Sequence, residues 1–256
     1  MQIDQDRIRA ILKAGHSYYG QRDVRKDSRW FPGSWDLIAS QLSPAMRVLD
    51  VGCGNGSALL EISPSFHTGL GIDNDPEHIR MAEEEKRALG VKNAEFLLLD
   101  FPGEIARLQP ESFDMVFSLR GPVPETTESI QAALHLLHPD GMIFCEEIGE
   151  LHDHEVRDIF KDSPPHNSTA RRAEQLRAAL ESNGVNIRLV ADVFDKWIYP
   201  DVYAWLQYQC NLWTWLGMPL PEPDDLRIAR FAERNTIATG EIETTHHVVW
   251  AAGVKI

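Results

Sequence analysis

The chain has 256 residues, 43% hydrophobic and 25% charged, enough for one large domain or one domain with an added lid. Its formal net charge of −14 disfavours a large nucleic-acid footprint, which shows as a basic face, although Arg22, Arg25, Lys26 and Arg29 form a local basic cluster. No apolar run approaches the roughly 20 residues of a membrane-spanning helix, and the polar stretch 1–9 does not read as a signal peptide.

Residues 4–42 read as two helices, the first with Ile8, Ile11 and Leu12 on one apolar face, the second over 36–42 and stopped before Pro44. The aromatic-rich segment between them, with Tyr18, Tyr19, Trp30 and Trp35, is too polar for core. It belongs to a helical N-terminal cap over 1–43. If that cap also covers the ligand cleft, Tyr19 is a candidate substrate contact.

From Arg47 onward short apolar runs alternate with helical stretches, the signature of a parallel sheet with helices on both faces. Strands are expected over 48–51, 68–72, 94–99, 113–119 and 142–146. A helix over 76–89 has Pro76 in its first turn and Gly90 at its end. Another, over 125–137, runs into the turn His138-Pro139-Asp140-Gly141. After residue 150 the composition changes, and His152-Asp153-His154 and 163–167 read as exposed loop. An amphipathic helix over 169–183, closed by Gly184, precedes a sixth strand over 186–194, and a seventh spans 244–254. Between the last two strands, 196–240 is too long for a plain connection and holds four of the seven tryptophans and three of the five tyrosines. It is assigned to a lid inserted into an α/β core over 44–195 and 241–256. These rings equally suit a satellite core or the contact of a homodimer.

The stretch Val48-Leu49-Asp50-Val51-Gly52-Cys53-Gly54-Asn55-Gly56 reads as a buried strand running into a glycine-rich turn before a helix. Glycines at alternate positions let the backbone approach a ligand where a Cβ would collide. A dinucleotide site has Gly-x-Gly-x-x-Gly to dock a pyrophosphate on the helix N-terminus; here Ser57 stands at the third position. Asp50 just ahead of the turn repels phosphate and suits a cationic or amine-bearing ligand. In an open parallel sheet, ligands sit beyond the carboxyl ends of the strands. The second strand ends at Asp73, roughly 20 residues past the first glycine, the separation of a carboxylate that accepts from ribose hydroxyls. The third ends at Asp100 beside Phe101, which suit an exocyclic amine and the face of a purine. The fourth ends at Ser118 and Leu119.

Together these motifs, with Gly71-Ile72-Asp73, Leu99-Asp100-Phe101, Phe113-Asp114-Met115-Val116 and Leu136-Leu137-His138-Pro139-Asp140-Gly141, resemble the class I S-adenosylmethionine-dependent methyltransferases of small-molecule type, over about residues 45–150. The resemblance implies a doubly wound, mostly parallel seven-stranded sheet whose last strand is antiparallel. It also implies S-adenosyl-L-methionine as cofactor, with the glycine turn and Asp50 against the methionine part, Asp73 on the ribose and Asp100 on the adenine amine. The cofactor set is then Asp50, Gly52, Cys53, Gly54 and Gly56 from the first turn, Asp73 and Asn74 from the second, and Asp100, Phe101, Ser118 and Leu119. Asp140 departs from the family, which more often has glycine there, and the N-terminal cap matches nothing general in it.

For the acceptor, the Asn/Asp-Pro-Pro-aromatic tetrad of base-modifying amino methyltransferases is replaced by Ser118-Leu119-Arg120-Gly121, which disfavours DNA. A small molecule methylated at O or N fits the aromatic insertion best, with Arg120, Tyr203 and Trp205 as candidate contacts. Glu147 and His152, after the fifth strand, are the candidate general bases. His152 and His154 lack an identifiable third ligand, so no metal is expected. An RNA or protein methyltransferase, and a catalytically silent cofactor-binding module, are the alternatives. Dispersed Cys53, Cys145 and Cys210 form neither a disulfide framework nor a zinc pattern, so a reducing cytoplasm is the expected location.

Overall fold

The computed structural model describes residues 3–16, 33–161 and 171–256. Tyr19 and the Arg22, Arg25, Lys26 and Arg29 cluster lie outside them. One seven-stranded sheet organises the chain: β1 (Arg47–Val51), β2 (Thr68–Asp73), β3 (Ala94–Leu98), β4 (Phe113–Leu119), β5 (Leu137–Ile148), β6 (Val185–Tyr199) and β7 (Ile242–Lys255), in the order β3-β2-β1-β4-β5-β7-β6. The β1–β2, β1–β4, β2–β3 and β4–β5 pairs are parallel, and β7 runs antiparallel beside β5. This is the expected doubly wound fold with an antiparallel last strand. Chain order reverses about β1: β2 and β3 lie to one side and β4 to the other, so the ligand crevice falls at the carboxyl end of β1.

Side-chain alternation along β1 feeds both faces of the sheet. Leu49 and Val51 enter a core with Ile72, Val116, Ile130 and Leu136, while Val48 enters the opposite core with Leu59, Phe117 and Phe144. Asp50 shares the parity of Val48, so a carboxylate is buried among apolar neighbours at the end of the central strand.

The helices are α1 (Gln5–Lys13), α2 (Ser34–Gln41), α3 (Ser57–Glu61), α4 (Pro76–Leu89), α5 (Thr127–Leu136), α6 (His154–Ile159), α7 (Arg172–Ser182), α8 (Val202–Trp215) and α9 (Leu226–Asn235). The ends of α4 coincide with those expected, because local chemistry fixes both. The Asp75 side chain accepts from Glu77 N–H, Pro76 pre-sets the first turn, and Gly90 closes the helix at φ +70°.

Two strands are longer than expected. β5 starts at Leu137 rather than 142, because the His138-Pro139-Asp140-Gly141 turn is absorbed as an irregularity: the β4–β5 register shifts between Phe113 and Met115, and Asp140 takes a left-handed φ of +63°. β6 continues past Phe194 through Asp195 and Lys196 to Tyr199, with alternating buried positions at Val193, Asp195, Trp197 and Tyr199.

The chain divides into two compact units. Described residues of the larger fall in 33–149, 171–193 and 248–256, and those of the smaller in 3–16, 150–161 and 194–247. The smaller unit has its own core, built on Ile8, Phe160, Trp197, Trp205, Trp213 and Phe231. Trp205 is stacked on Phe231 at 3.8 Å between ring centroids and meets Trp213 edge-on at 6.4 Å. The expectation of an exposed loop at His152-Asp153 is corrected: both residues are buried in this unit. The Asp153 N–H donates to Thr245 O, and the His247 N–H donates to His152 Nδ1, which ties α6 to the strand carrying Thr244 to His247. Trp205→Ala is expected to cost about 3–5 kcal/mol of stability in urea unfolding, whereas truncation of the exposed Trp215 stays within about 0.5 kcal/mol.

Candidate functional site

The site grows out of the turn after β1. Gly52, Gly54 and Gly56 have φ values of +77°, +53° and +75°, in the left-handed region that costs other residues about 1–2 kcal/mol each. Space also demands glycine. A Cβ on Gly52 would lie 3.0 Å from Pro122 Cδ and 3.1 Å from Gly121 Cα, and one on Gly56 would fall 2.5 Å from the Phe96 ring and 2.9 Å from Ala82 Cβ. The turn's amides point into the protein. Gly52 N–H and Cys53 N–H both donate to Ile72 O, at 2.9 and 3.0 Å, and Gly56 N–H donates to Cys53 O at 2.9 Å. Gly54 N–H donates to Asp73 Oδ2 at 2.8 Å. An anion-binding nest needs these groups free; here those of Gly52, Cys53 and Gly54 hold the turn to the end of β2, and that of Gly56 closes the turn on Cys53.

Two carboxylates flank this turn and differ in environment. Asp50 is 1% exposed, and its Oδ2 has no hydrogen-bond partner among the described residues. Burial, then the charge of Asp73, push its carboxyl well above the usual range. Asp73 is half-buried. Burial acts to raise its pKa, but hydrogen bonds from His78 and from the N–H groups of Asp75 and Gly54 outweigh it and hold the group below the ordinary value. His78, on the first turn of α4, was not anticipated from sequence; its Nδ1 lies 3.1 Å from Asp73 Oδ1.

The other expected cofactor residues lie along the same strand ends. Cys53 is buried, and burial followed by the Asp50 and Asp73 charges raises its thiol, so it contributes shape rather than a nucleophile. Asn74 and Asp100 are exposed, and the Asp100 N–H donates to Glu104 Oε2 at 2.9 Å. Phe101 is seated in the core with Leu99. Ser118 Oγ, fully buried, donates to Val51 O at 2.9 Å and pins β4 to β1 beside the turn. Leu119 is half-buried after it.

Arg120, at φ +59°, donates its N–H to Glu146 O at 2.7 Å and places Nε 3.5 Å from Glu146 Oε1. Glu146 Oε2 accepts from Trp250 Nε1 at 2.8 Å, so this carboxylate is spoken for. Its neighbour Glu147 pairs with Arg172 at the start of α7. Burial raises the Glu147 carboxyl, Arg172 opposes that, and Glu125 and Glu146 add to it; the net shift is upward. The remaining sequence-derived candidates fall in the smaller unit. His152 packs edge-on against Trp197 at 4.9 Å and His246 at 5.2 Å. Trp205 is a core ring, and Tyr203 accepts from the Asp4 N–H through its hydroxyl at 2.8 Å with Arg7 over its ring.

A turn built on three glycines, with the amides of Gly52, Cys53, Gly54 and Gly56 spent on protein acceptors and, among the described residues, one orphaned and one oriented carboxylate beside it, fits a ligand carrying positive charge and hydroxyl donors better than a pyrophosphate. The donor and acceptor set, an orphaned buried Asp50 oxygen and an Asp73 carboxylate oriented by protein donors, fits the positive charge and hydroxyls of S-adenosylmethionine. Fold and site thus define a class I, Rossmann-like methyltransferase domain.

The family described as "Methyltransferase domain" matches residues 42–199, and the chain belongs to it; S-adenosylmethionine is the methyl donor of that family. A tRNA U34 carboxymethyltransferase of Photobacterium profundum is 30% identical over 45% of the chain and 38% of that protein. A ubiquinone biosynthesis O-methyltransferase of Actinobacillus pleuropneumoniae is 28% identical over 40% of the chain and 45% of its own length. The chain therefore spans less than half the length of either relative. Among solved structures, a putative methyltransferase from Bacillus halodurans superposes with a TM-score of 0.59 at 13% identity, covering 86% of this chain and 96% of that one, a likeness of fold.

The buried acid gives a pH test. The folded pKa of Asp50 lies above its unfolded value of about 4, so between the two the folded state binds more protons and stability falls as pH rises. Asp50→Asn removes that loss. Its thermal midpoint is expected to exceed that of the unsubstituted protein at pH 7, with the gap closing toward pH ~4; a gap constant across pH contradicts the assignment.

Proposed function

We propose that this chain transfers a methyl group from S-adenosylmethionine to an oxygen or nitrogen of a small-molecule acceptor. The observation that carries the cofactor half is the Asp73 carboxylate, held at the end of β2 by Gly54 N–H, Asp75 N–H and His78, at the place where a ribose diol would donate to it. Asp100 would accept from the adenine amine while Phe101 supports the ring, and Asp50 would face the amine and sulfonium end. When bound, the cofactor supplies an electrophilic methyl group on a positively charged sulfur.

The chain's own task is then to hold the acceptor in line and keep water away, which by itself lowers the barrier by several kcal/mol. Glu147 is the base in this reading: burial raises its pKa and so makes the carboxylate a stronger acceptor of a proton from an acceptor hydroxyl or ammonium, and Arg172 holds it in place. The small-molecule assignment draws on the net charge of −14 and on the likeness to the ubiquinone O-methyltransferase. A tRNA acceptor is the second reading, favoured by the likeness to the tRNA U34 enzyme.

A screen with methyl-labelled cofactor against phenols, amines and bulk tRNA separates these readings. Label on a small molecule is expected; label only on tRNA selects the second reading, and none on any acceptor selects a silent binding module. Asp73→Ala is expected to raise the Kd of S-adenosylhomocysteine by about tenfold or more in calorimetry, the scale of hydrogen bonds lost from a charged acceptor. An unchanged Kd removes the ribose assignment. Glu147→Gln is expected to leave that Kd within about twofold and lower kcat by about 10²-fold or more, and an unaltered kcat removes Glu147 as the base.

A further inference from the structure

His78 lies outside the motifs that carry the family resemblance, yet it touches the carboxylate on which the cofactor reading depends. Its Nδ1 is 3.1 Å from Asp73 Oδ1 and its Nε2 is 3.6 Å from Asp75 Oδ2, with 14% of the side chain exposed. An ionised carboxylate only accepts, so this contact requires the proton on Nδ1. The three carboxylates Asp73, Asp75 and Glu77 favour the protonated ring.

Asp73 Oδ1 also accepts from the Asp75 N–H at 2.9 Å, while among the described residues Oδ2 accepts from Gly54 N–H alone. The carboxylate plane is therefore fixed at three points, one on the glycine turn, one on the β2–α4 connection and one on α4. Among the described residues Oδ1 has two donors and Oδ2 has one, which leaves Oδ2 as the oxygen with more capacity for a ligand hydroxyl. The imidazole can hold this position because α4 is itself anchored: Asp75 caps it, Pro76 starts it, and its Ala82 lies where a Gly56 Cβ would fall.

We infer that His78 is a positioning residue for the cofactor, locking the Asp73 carboxylate so that Oδ2 is presented to the ribose hydroxyls. The inference rests on the ribose reading given above. It adds a residue that never meets the ligand but sets its affinity through Asp73, with a consequence that a purely structural histidine lacks: its effect exists only while Asp73 is a carboxylate.

A double-mutant cycle tests this by calorimetry with S-adenosylhomocysteine. His78→Leu is expected to raise Kd by about fivefold or more, and His78→Asn, whose Nδ2 can occupy the place of the imidazole Nδ1, to restore most of the affinity. In an Asp73→Ala background, which removes the accepting oxygens, His78→Leu is expected to change Kd no further. Thermal midpoints of all variants accompany the titrations; if His78→Leu does not fold, His78→Gln, which carries its donor one atom further out, takes its place. Native affinity in the His78 variant, or additive losses in the double variant, overturns the inference while leaving the ribose reading intact. An unchanged Kd in Asp73→Ala alone overturns the ribose reading and the inference with it.

Discussion

Everything at the site follows from how the chain leaves β1. The backbone must reverse within a few residues, and it does so through three left-handed glycines, two of whose amides are spent on the end of β2, on Ile72 O and on the Asp73 carboxylate, and the third on Cys53 O within the turn. That choice has two chemical results. Amides turned inward leave no cradle for phosphate. The carboxylate that receives one of them becomes part of the turn's scaffold and, in the proposed function, part of the ligand surface at once. The close approach of Phe96 and Ala82 to Gly56 then seats the turn against β3 and α4, so the ligand-facing backbone is backed by packed side chains.

The two acids at this turn are not equivalent, and the difference is physical. Asp73 has three donors, so its ionised form is favoured in spite of burial. Asp50 has an oxygen with no donor and a second negative charge nearby, so its ionised form is disfavoured until positive charge arrives. In the proposed function, this environment favours a cationic ligand through desolvation rather than through many contacts. The acids of β5 also differ: Glu146 is committed to Trp250 and Arg120, whereas Glu147 pairs with Arg172 and has a raised pKa, which is why the proposed function gives it the role of base.

Much of this was legible in the sequence because the signals are local. The Asp75-Pro76 start and the Gly90 stop of α4, the glycine spacing after β1, and the acids at Asp73 and Asp100 are each set by a few adjacent residues. The limits of β5 and β6 were not legible, since Asp140 takes a left-handed conformation that absorbs a turn-like sequence into a strand, and Asp195 is a buried acid within an otherwise alternating run. His152 reads as a solvated loop histidine because nothing nearby in sequence announces Trp197 and His246, which enclose it from far along the chain. Trp205 reads as a ligand-facing ring and is a core ring, for the same reason: its partner Phe231 lies on another helix. His78 was missed although its signal was present, as a histidine on the first helical turn, five residues after the strand-terminal acid and reaching back to it.

The account centres on one placement, that of an S-adenosyl ligand at the joined ends of β1 and β2. A crystal structure with S-adenosylhomocysteine tests it most directly. The ribose oxygens are expected within hydrogen-bond distance of Asp73 Oδ2, with the amino-acid portion over Gly52–Gly54 near Asp50, and His78 still on Asp73 Oδ1. A ligand bound elsewhere, or one whose ribose turns away from Asp73, would contradict the account.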